Sequence, residues 1–354
     1  MGCSYQSYMG RWFGSRDHSR PLGTAYPAER PYSYLLDPTL SSSSFKRKIG
    51  ILLGMQKAEL VTLSDGIHYL PGAVNVGVVV ATDTGGCVLI DSGADKDHAK
   101  RILKACRSQS IEPVAIVNTH SHADHYGGNA YLQEALGIPA YSPIFEEATL
   151  RYPILEPITL WSGARPPMAL QNKWLLAPAS GTKILNEAGL REINGVALEL
   201  LDVSGHAHIQ FAVRVRDVLF AADAVFGAAI LAKYPLQFMV DVQHVREAIE
   251  AVRSADARVT LPGHGEPTGD ADALCDANLK ALERASNAVL LACGEPATLP
   301  EVIERVCAML EVTIQDLTRF VLNQTAVLAH LTDLEERGLV QHAVIRNRLV
   351  WSAV

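Results

Sequence analysis

Thr119-His120-Ser121-His122-Ala123-Asp124-His125-Tyr126-Gly127-Gly128-Asn129 is the stretch on which the reading of this chain turns. Three histidines and one aspartate fall within six residues, directly behind the apolar run Pro113-Val114-Ala115-Ile116-Val117. That run reads as a buried strand, and Gly127-Gly128 as the loop opening the next helix. Imidazole nitrogen and carboxylate oxygen suit zinc and similar divalent ions, and a tight turn can point alternate residues into one cavity. His120 and His122 can therefore share one ion while Asp124 and His125, across the turn, hold a second. The plain alternative is a solvated polar loop, but random composition rarely places His-x-His-x-Asp-His behind a strand.

His120-Ser121-His122-Ala123-Asp124-His125 resembles the signature of the metallo-β-lactamase superfamily of metallohydrolases. The resemblance implies an α/β fold, a four-layer αβ/βα sandwich, with the remaining ligands at later strand ends. Val196 to Val203 reads as a strand followed by Ser204-Gly205-His206-Ala207-His208. His206 fits the superfamily's Gly-His turn, although the turn here departs from the common longer form. His208, two residues on, is the alternative ligand and otherwise begins a strand from Ile209 to Val215. Val218-Leu219-Phe220-Ala221-Ala222-Asp223 ends in an acid where many relatives carry a metal-bridging aspartate, and Pro262-Gly263-His264-Gly265 matches their last histidine. Asp91, closing the strand Val88-Leu89-Ile90, matches an aspartate that holds the ring of a ligand histidine.

The matching region covers about residues 60–270 and implies two divalent ions, zinc by expectation, with manganese or iron also accepted by nitrogen and oxygen donors. It assigns His120, His122 and His206 to the first ion, and Asp124, His125 and His264 to the second. Asp223 bridges both, and Asp124 also serves to orient the attacking water or carry a proton to the leaving group. His68, in a strand-like run, and His98, on a charged helix, are expected to be surface or packed histidines.

Composition bounds the function. The chain has 354 residues, 48% hydrophobic and 19% charged, with a formal net charge of −7. That describes a soluble globular protein with an ample core. The acidic balance speaks against a phosphate-backbone binder, so nucleic acid is an unlikely partner, and no run approaches the roughly 20 apolar residues needed to span a bilayer. Six scattered cysteines without a Cys-x-x-Cys pair fit reduced thiols in a cytoplasm.

Outside the matching region the text is more varied. Residues 1–54 hold nine serines, five tyrosines and seven basic residues against three acidic ones, with no periodic apolar face before Ile49. They read as a disordered or extraneous extension, with Met55 as a possible natural start. The catalytic region is expected over 55–270, and its proline-bearing insertion 137–181 is placed to wall a pocket, with Arg165 as a candidate for a substrate carboxylate or phosphate. Lys233-Tyr234, on a loop after Asp223, could hold an anionic group. A linking helix over about 271–296 leads to a unit at 297–354. There Thr298 and Glu301 form a capping box, Thr325 to Arg337 reads as a helix, and Leu339-Val340 pairs with Arg348-Leu349-Val350-Trp351 around Arg346-Asn347. This resembles a winged-helix module, but from residue 285 on five basic residues face eight acidic ones, so packing, pocket closure or a homodimer contact is expected in place of DNA binding.

The function expected is hydrolysis of a small ester, thioester or lactone. A phosphodiesterase or nuclease is the alternative. A β-lactamase is less favoured, because members with that activity generally lack the bridging aspartate that Asp223 matches.

Overall fold

The computed structural model describes residues 59–81 and 85–354, so the extension expected over 1–54 lies outside the described residues. Two sheets stack on each other. The first has seven strands in spatial order β1 to β7: Val61–Ser64, Ile67–Leu70, Val76–Val80, Gly86–Ile90, Glu112–Val117, Ala140–Pro143 and Lys183–Leu185. Its first four pair antiparallel and the rest parallel. The second runs β12-β11-β10-β9-β8, built from β8 (Gly189–Ile193), β9 (Val196–Asp202), β10 (Phe211–Val215), β11 (Val218–Ala222) and β12 (Val259–Pro262).

Strand periodicity sorts the side chains into three apolar layers. Alternate residues Ile67, Tyr69, Val79, Val88, Ile90, Ala115 and Val117 face inward, against Leu198, Leu200, Phe211, Val213, Val218 and Phe220 of the second sheet. The opposite faces are covered by helices. Val78, Leu89 and Ile116 pack on Ile102, Leu103 and Cys106 of α1 (Lys96–Ser108), and Ala212, Leu219 and Ala221 pack on Val245, Ile249 and Val252 of α7 (Val242–Ser254). Because β4, β11 and the Pro113–Val117 part of β5 are covered on both faces, they read as unbroken apolar runs. The result is the four-layer α/β sandwich expected from the sequence.

Each start of α1 and α7 is fixed by an aspartate. Asp95 Oδ1 accepts from the Asp97 and His98 N–H groups, and Asp241 Oδ1 from the His244 N–H. The short helices α2 (Ala123–Tyr126) and α3 (Asn129–Leu136) follow the histidine turn. The 137–181 insertion contains α4 (Glu146–Arg151) and α5 (Leu155–Leu160), more regular than its seven prolines suggested.

Residues expected as a loop before Tyr234 form α6 (Ala228–Lys233). Beyond α8 (Ala271–Ala292) come α9 (Leu299–Met309) and α10 (Leu317–Glu336), then a three-stranded sheet in the order β13 (Ala297–Thr298), β15 (Arg348–Ala353), β14 (Val340–Ile345). Glu301 Oε2 accepts from the Thr298 N–H, the bond that the capping box asks of the glutamate, and also from the Thr298 hydroxyl. Helix α10 starts eight residues before the expected Thr325, because Asp316 caps it through the Arg319 N–H. Val321 of α10 packs with Leu160, Leu170 and Leu175 of the insertion, while Asp333 accepts Arg246 of α7 at 2.6 Å. The C-terminal helices therefore brace the insertion and the helix layer of the sandwich. Among the described residues no helix is long and apolar enough to cross a membrane.

Candidate metal centre

Every residue of the centre follows the C-terminal end of a strand: Asp91 after β4, the His120–His125 turn after β5, His206 after β9, Asp223 after β11 and His264 after β12. One edge of the sandwich thus gathers side chains far apart in sequence. The close approach dictates residue choice. A Cβ built on Gly263 would lie 2.2 Å from Asp223 Oδ1, so only glycine lets the β12 turn pass over that carboxylate.

Three overlapping groups of donors lie close enough to share a cation: His120, His122 and His206; His120, His125 and Asp223; Asp124, His125 and His264. His122 Nδ1 stands 3.0 Å from His120 Nε2 and 2.9 Å from His206 Nε2. Asp223 lies between the groups, with Oδ1 3.3 Å from His125 Nε2 and Oδ2 3.3 Å from His206 Nε2 and 3.4 Å from His264 Nε2. Asp124 Oδ2 is 3.3 Å from His264 Nε2.

The outer nitrogens decide which inner ones are free. His125 Nδ1 donates to Asp91 Oδ2 at 2.8 Å, His206 Nδ1 to the Phe238 carbonyl at 2.9 Å, and His264 Nδ1 to the Ala73 carbonyl at 2.6 Å. Thr119 Oγ1 donates to Asp91 Oδ2 and so accepts from His120 Nδ1 at 3.0 Å. These assignments follow from the partners, and in the neutral ring each leaves Nε2 without a proton and facing the cluster. The residues fit divalent metal ions on these grounds. His125 Nε2 and Asp223 Oδ1 are fully buried yet make no hydrogen bond; their 3.3 Å contact is an ion-pair distance with poor hydrogen-bond geometry.

Charge says the same. Burial lowers His120 well below the ordinary imidazole range, His122 to about 4 and His206 to about 3, so all three are neutral near pH 7. Burial also opposes charge on His264, but the Asp223 and Asp124 carboxylates overcome it and push it up to about 10. His125 is raised the same way, against burial, by Asp223, Asp91 and Asp124. Burial disfavours the charged Asp124 and Asp223, and His125 and His264 nevertheless hold both below the usual carboxylate range. The acidic pair demands positive charge at this spot, and the imidazolium protons supply it when no cation does.

His206 enters the cluster and His208 does not. The turn closes through a Val203 N–H to Gln210 carbonyl bond, which delays β10 to Phe211 and leaves His208 exposed against Phe145, ring centroids 5.5 Å apart. His68 bonds Thr62, and His98 is packed at the N-terminal turn of α1. Arg165 lines an open cleft of about 310 Å³ with Trp161, Pro166, Pro167, Met168 and Gln171 on the insertion. Lys233 closes α6 and its ammonium lies 4.9 Å from the exposed Tyr234 ring, so the pair contacts itself.

Sequence reasoning missed four supporting residues. Glu146, 4% exposed, accepts from the Ser121 N–H at 3.1 Å, the Ser121 hydroxyl and the Ile209 N–H at 3.1 Å, tying the insertion to both histidine turns. Asn75 Nδ2 donates to the Pro262 and Gly265 carbonyls and holds the His264 turn. Phe238 lies 5.3 Å from the His122 ring, and Phe226 stacks on His264 at 6.2 Å.

A family model described as the metallo-beta-lactamase superfamily matches residues 69–264. A hydroxyacylglutathione hydrolase of Nitrosomonas europaea is 29% identical over 134 residues, 38% of this chain and 40% of that protein; the match spans less than half of the relative's length. An uncharacterized protein of Aquifex aeolicus is 28% identical over 162 residues, 45% of this chain and 69% of that one. Among solved structures, a metallo-beta-lactamase family protein from Thermus thermophilus aligns with a TM-score of 0.64 at 20% identity, over 83% of this chain and 100% of that one. A beta-lactamase domain protein from Burkholderia ambifaria also gives 0.64, at 15% identity over 84% and 94%.

Proposed function

Because this chain belongs to the metallo-beta-lactamase superfamily and carries a carboxylate between two donor groups, we propose that it is a dinuclear metal-dependent hydrolase of a small thioester, ester or lactone. The observation that carries this reading is the position of Asp223. Oδ1 lies towards His125 and Oδ2 towards His206 and His264, so this one carboxylate reaches both donor groups. His120, His122 and His206 would hold one ion, and Asp124, His125 and His264 the other, with zinc the metal such donors favour. Bound there, the ions would supply an activated water near neutral pH and polarise the carbonyl oxygen.

The chain's own residues do the rest. Asp91 and Thr119 lock the rings of His125 and His120, so the donors are positioned before substrate arrives. Asp124 is the least buried of the clustered carboxylates and is held ionised, so it can accept a hydrogen bond from the attacking water and orient it. Phe226 and Phe238 keep bulk water from the ligand rings. The hydroxyacylglutathione hydrolase relatives favour a thioester among the acyl substrates.

Metal analysis of the pure full-length protein, followed by turnover of a thioester, a lactone, a phosphodiester and the β-lactam nitrocefin, tests this. Two equivalents of metal with acyl hydrolysis are expected. Efficient turnover of the phosphodiester or nitrocefin alone would refute the reading.

A further inference from the structure

Phe145 stands in a conformation that side chains avoid, φ 78° and ψ −52°, at the start of α4. The next residue explains the backbone but not the choice of phenylalanine. Glu146 turns inward to bind Ser121 and Ile209, which forces Phe145 outward, where the residue is 67% exposed. A position that only needed this turn would be served by glycine or asparagine, and a core aromatic would be buried. Here a large ring stands in solvent, its centroid 5.5 Å from His208, two residues past His206. Phe238 lies 5.7 Å from His206 on the inner side, and Phe226 also 5.7 Å. Phe145 therefore lies against the turn that carries His206, on the side opposite its inner aromatic neighbours.

We propose that Phe145 is a specificity-determining residue, an aromatic lip that packs on the apolar portion of a substrate whose carbonyl lies at the Asp223 cluster. The substrate class is then an acyl compound with a hydrocarbon chain longer than acetyl. This rests on the acyl-hydrolase reading above. Backbone strain is tolerated at functional positions when the surroundings over-determine it, and Glu146 does so here. A hydrophobic contact of this size discriminates by roughly ten- to fiftyfold.

The test uses the metal-loaded full chain and the variants Phe145→Ala, Phe145→Leu and Phe145→Gly. Two quantities are compared: kcat/KM for hexanoyl against acetyl thioesters of one thiol, and calorimetric Kd for hexanoate against acetate. The unaltered protein should prefer the longer chain in both. Phe145→Ala should lose about tenfold or more of that preference, chiefly through KM; Phe145→Leu should keep most of it. Phe145→Gly relieves the backbone and should lose the preference without loss of melting temperature, which guards against misfolding. An equal loss for both chain lengths, or no hexanoate preference in the unaltered protein, overturns the lip. If hexanoate preference is present and lost in Phe145→Ala while no thioester is hydrolysed, the lip stands and the acyl-hydrolase reading fails.

Discussion

Asp91→Asn isolates how much of the centre is built by its outer hydrogen bonds. Asp91 touches no other carboxylate of the cluster. Its Oδ1 accepts the Thr119 N–H at 2.8 Å, and its Oδ2 accepts both the Thr119 hydroxyl at 2.9 Å and His125 Nδ1 at 2.8 Å. Asparagine has the same shape and tolerates the local φ of 64°, so the backbone is not the variable. Its amide nitrogen, however, is a donor. Facing His125 it meets an N–H, and flipped it meets the Thr119 N–H, so one donor pair clashes in either orientation. The cheapest relief is the other His125 tautomer, which points Nε2–H at Asp223 and removes a metal donor. Losing such a partner typically weakens metal binding about 10–100-fold, roughly 1.4–2.7 kcal/mol. Titration of the full chain with Zn²⁺ against a chromophoric chelator reads this directly. Affinities within twofold of the unaltered protein at both ions would show that the Asp91 bond does not set the tautomer.

His206→Ala should abolish tight binding of one equivalent of metal, whereas His208→Ala should leave both equivalents within about twofold; the same titration compares them, and the reverse pattern would move the ligand to His208. Glu146→Ala strips the acceptor from two backbone N–H groups and a hydroxyl in a buried place, each buried donor costing roughly 1–3 kcal/mol. A stability loss of about 2–5 kcal/mol by denaturant titration is expected, with Glu146→Gln recovering part of it, and no loss would mean water replaces the carboxylate. For pH, His264 is raised to about 10 in the fold against 6.5 when unfolded, so its contribution to the metal-free protein is full below 6.5 and fades as pH rises through 10. Metal must displace that proton, so apparent affinity should rise at least about tenfold per pH unit between pH 7 and 9. A flat profile over that range would contradict the protonated cluster.

The parts of this centre that were legible in sequence share one property: a strand end and a local motif fix them together. His120, His122, Asp124 and His125 sit in one turn behind β5, and Asp91, Asp223 and His264 each close an apolar run, so the fold delivers them to a common edge once the strands are placed. What sequence could not supply depends on contacts between residues distant along the chain. Glu146 looks like one more acid in the first turn of a surface helix beside Glu147. Only the path of the insertion turns it towards Ser121 and Ile209. His206 and His208 have the same chemistry two residues apart. They are separated by the closure of Val203 onto Gln210 and by the Phe238 carbonyl that holds one ring. The left-handed Phe145 follows from the same burial of Glu146, and no periodicity could have announced it. A carboxylate that is bonded to both ligand turns yet is no ligand itself couples the insertion to the metal site. Changes in the 137–181 wall should therefore be felt at the histidines as well as at the substrate, through Ser121 and Ile209.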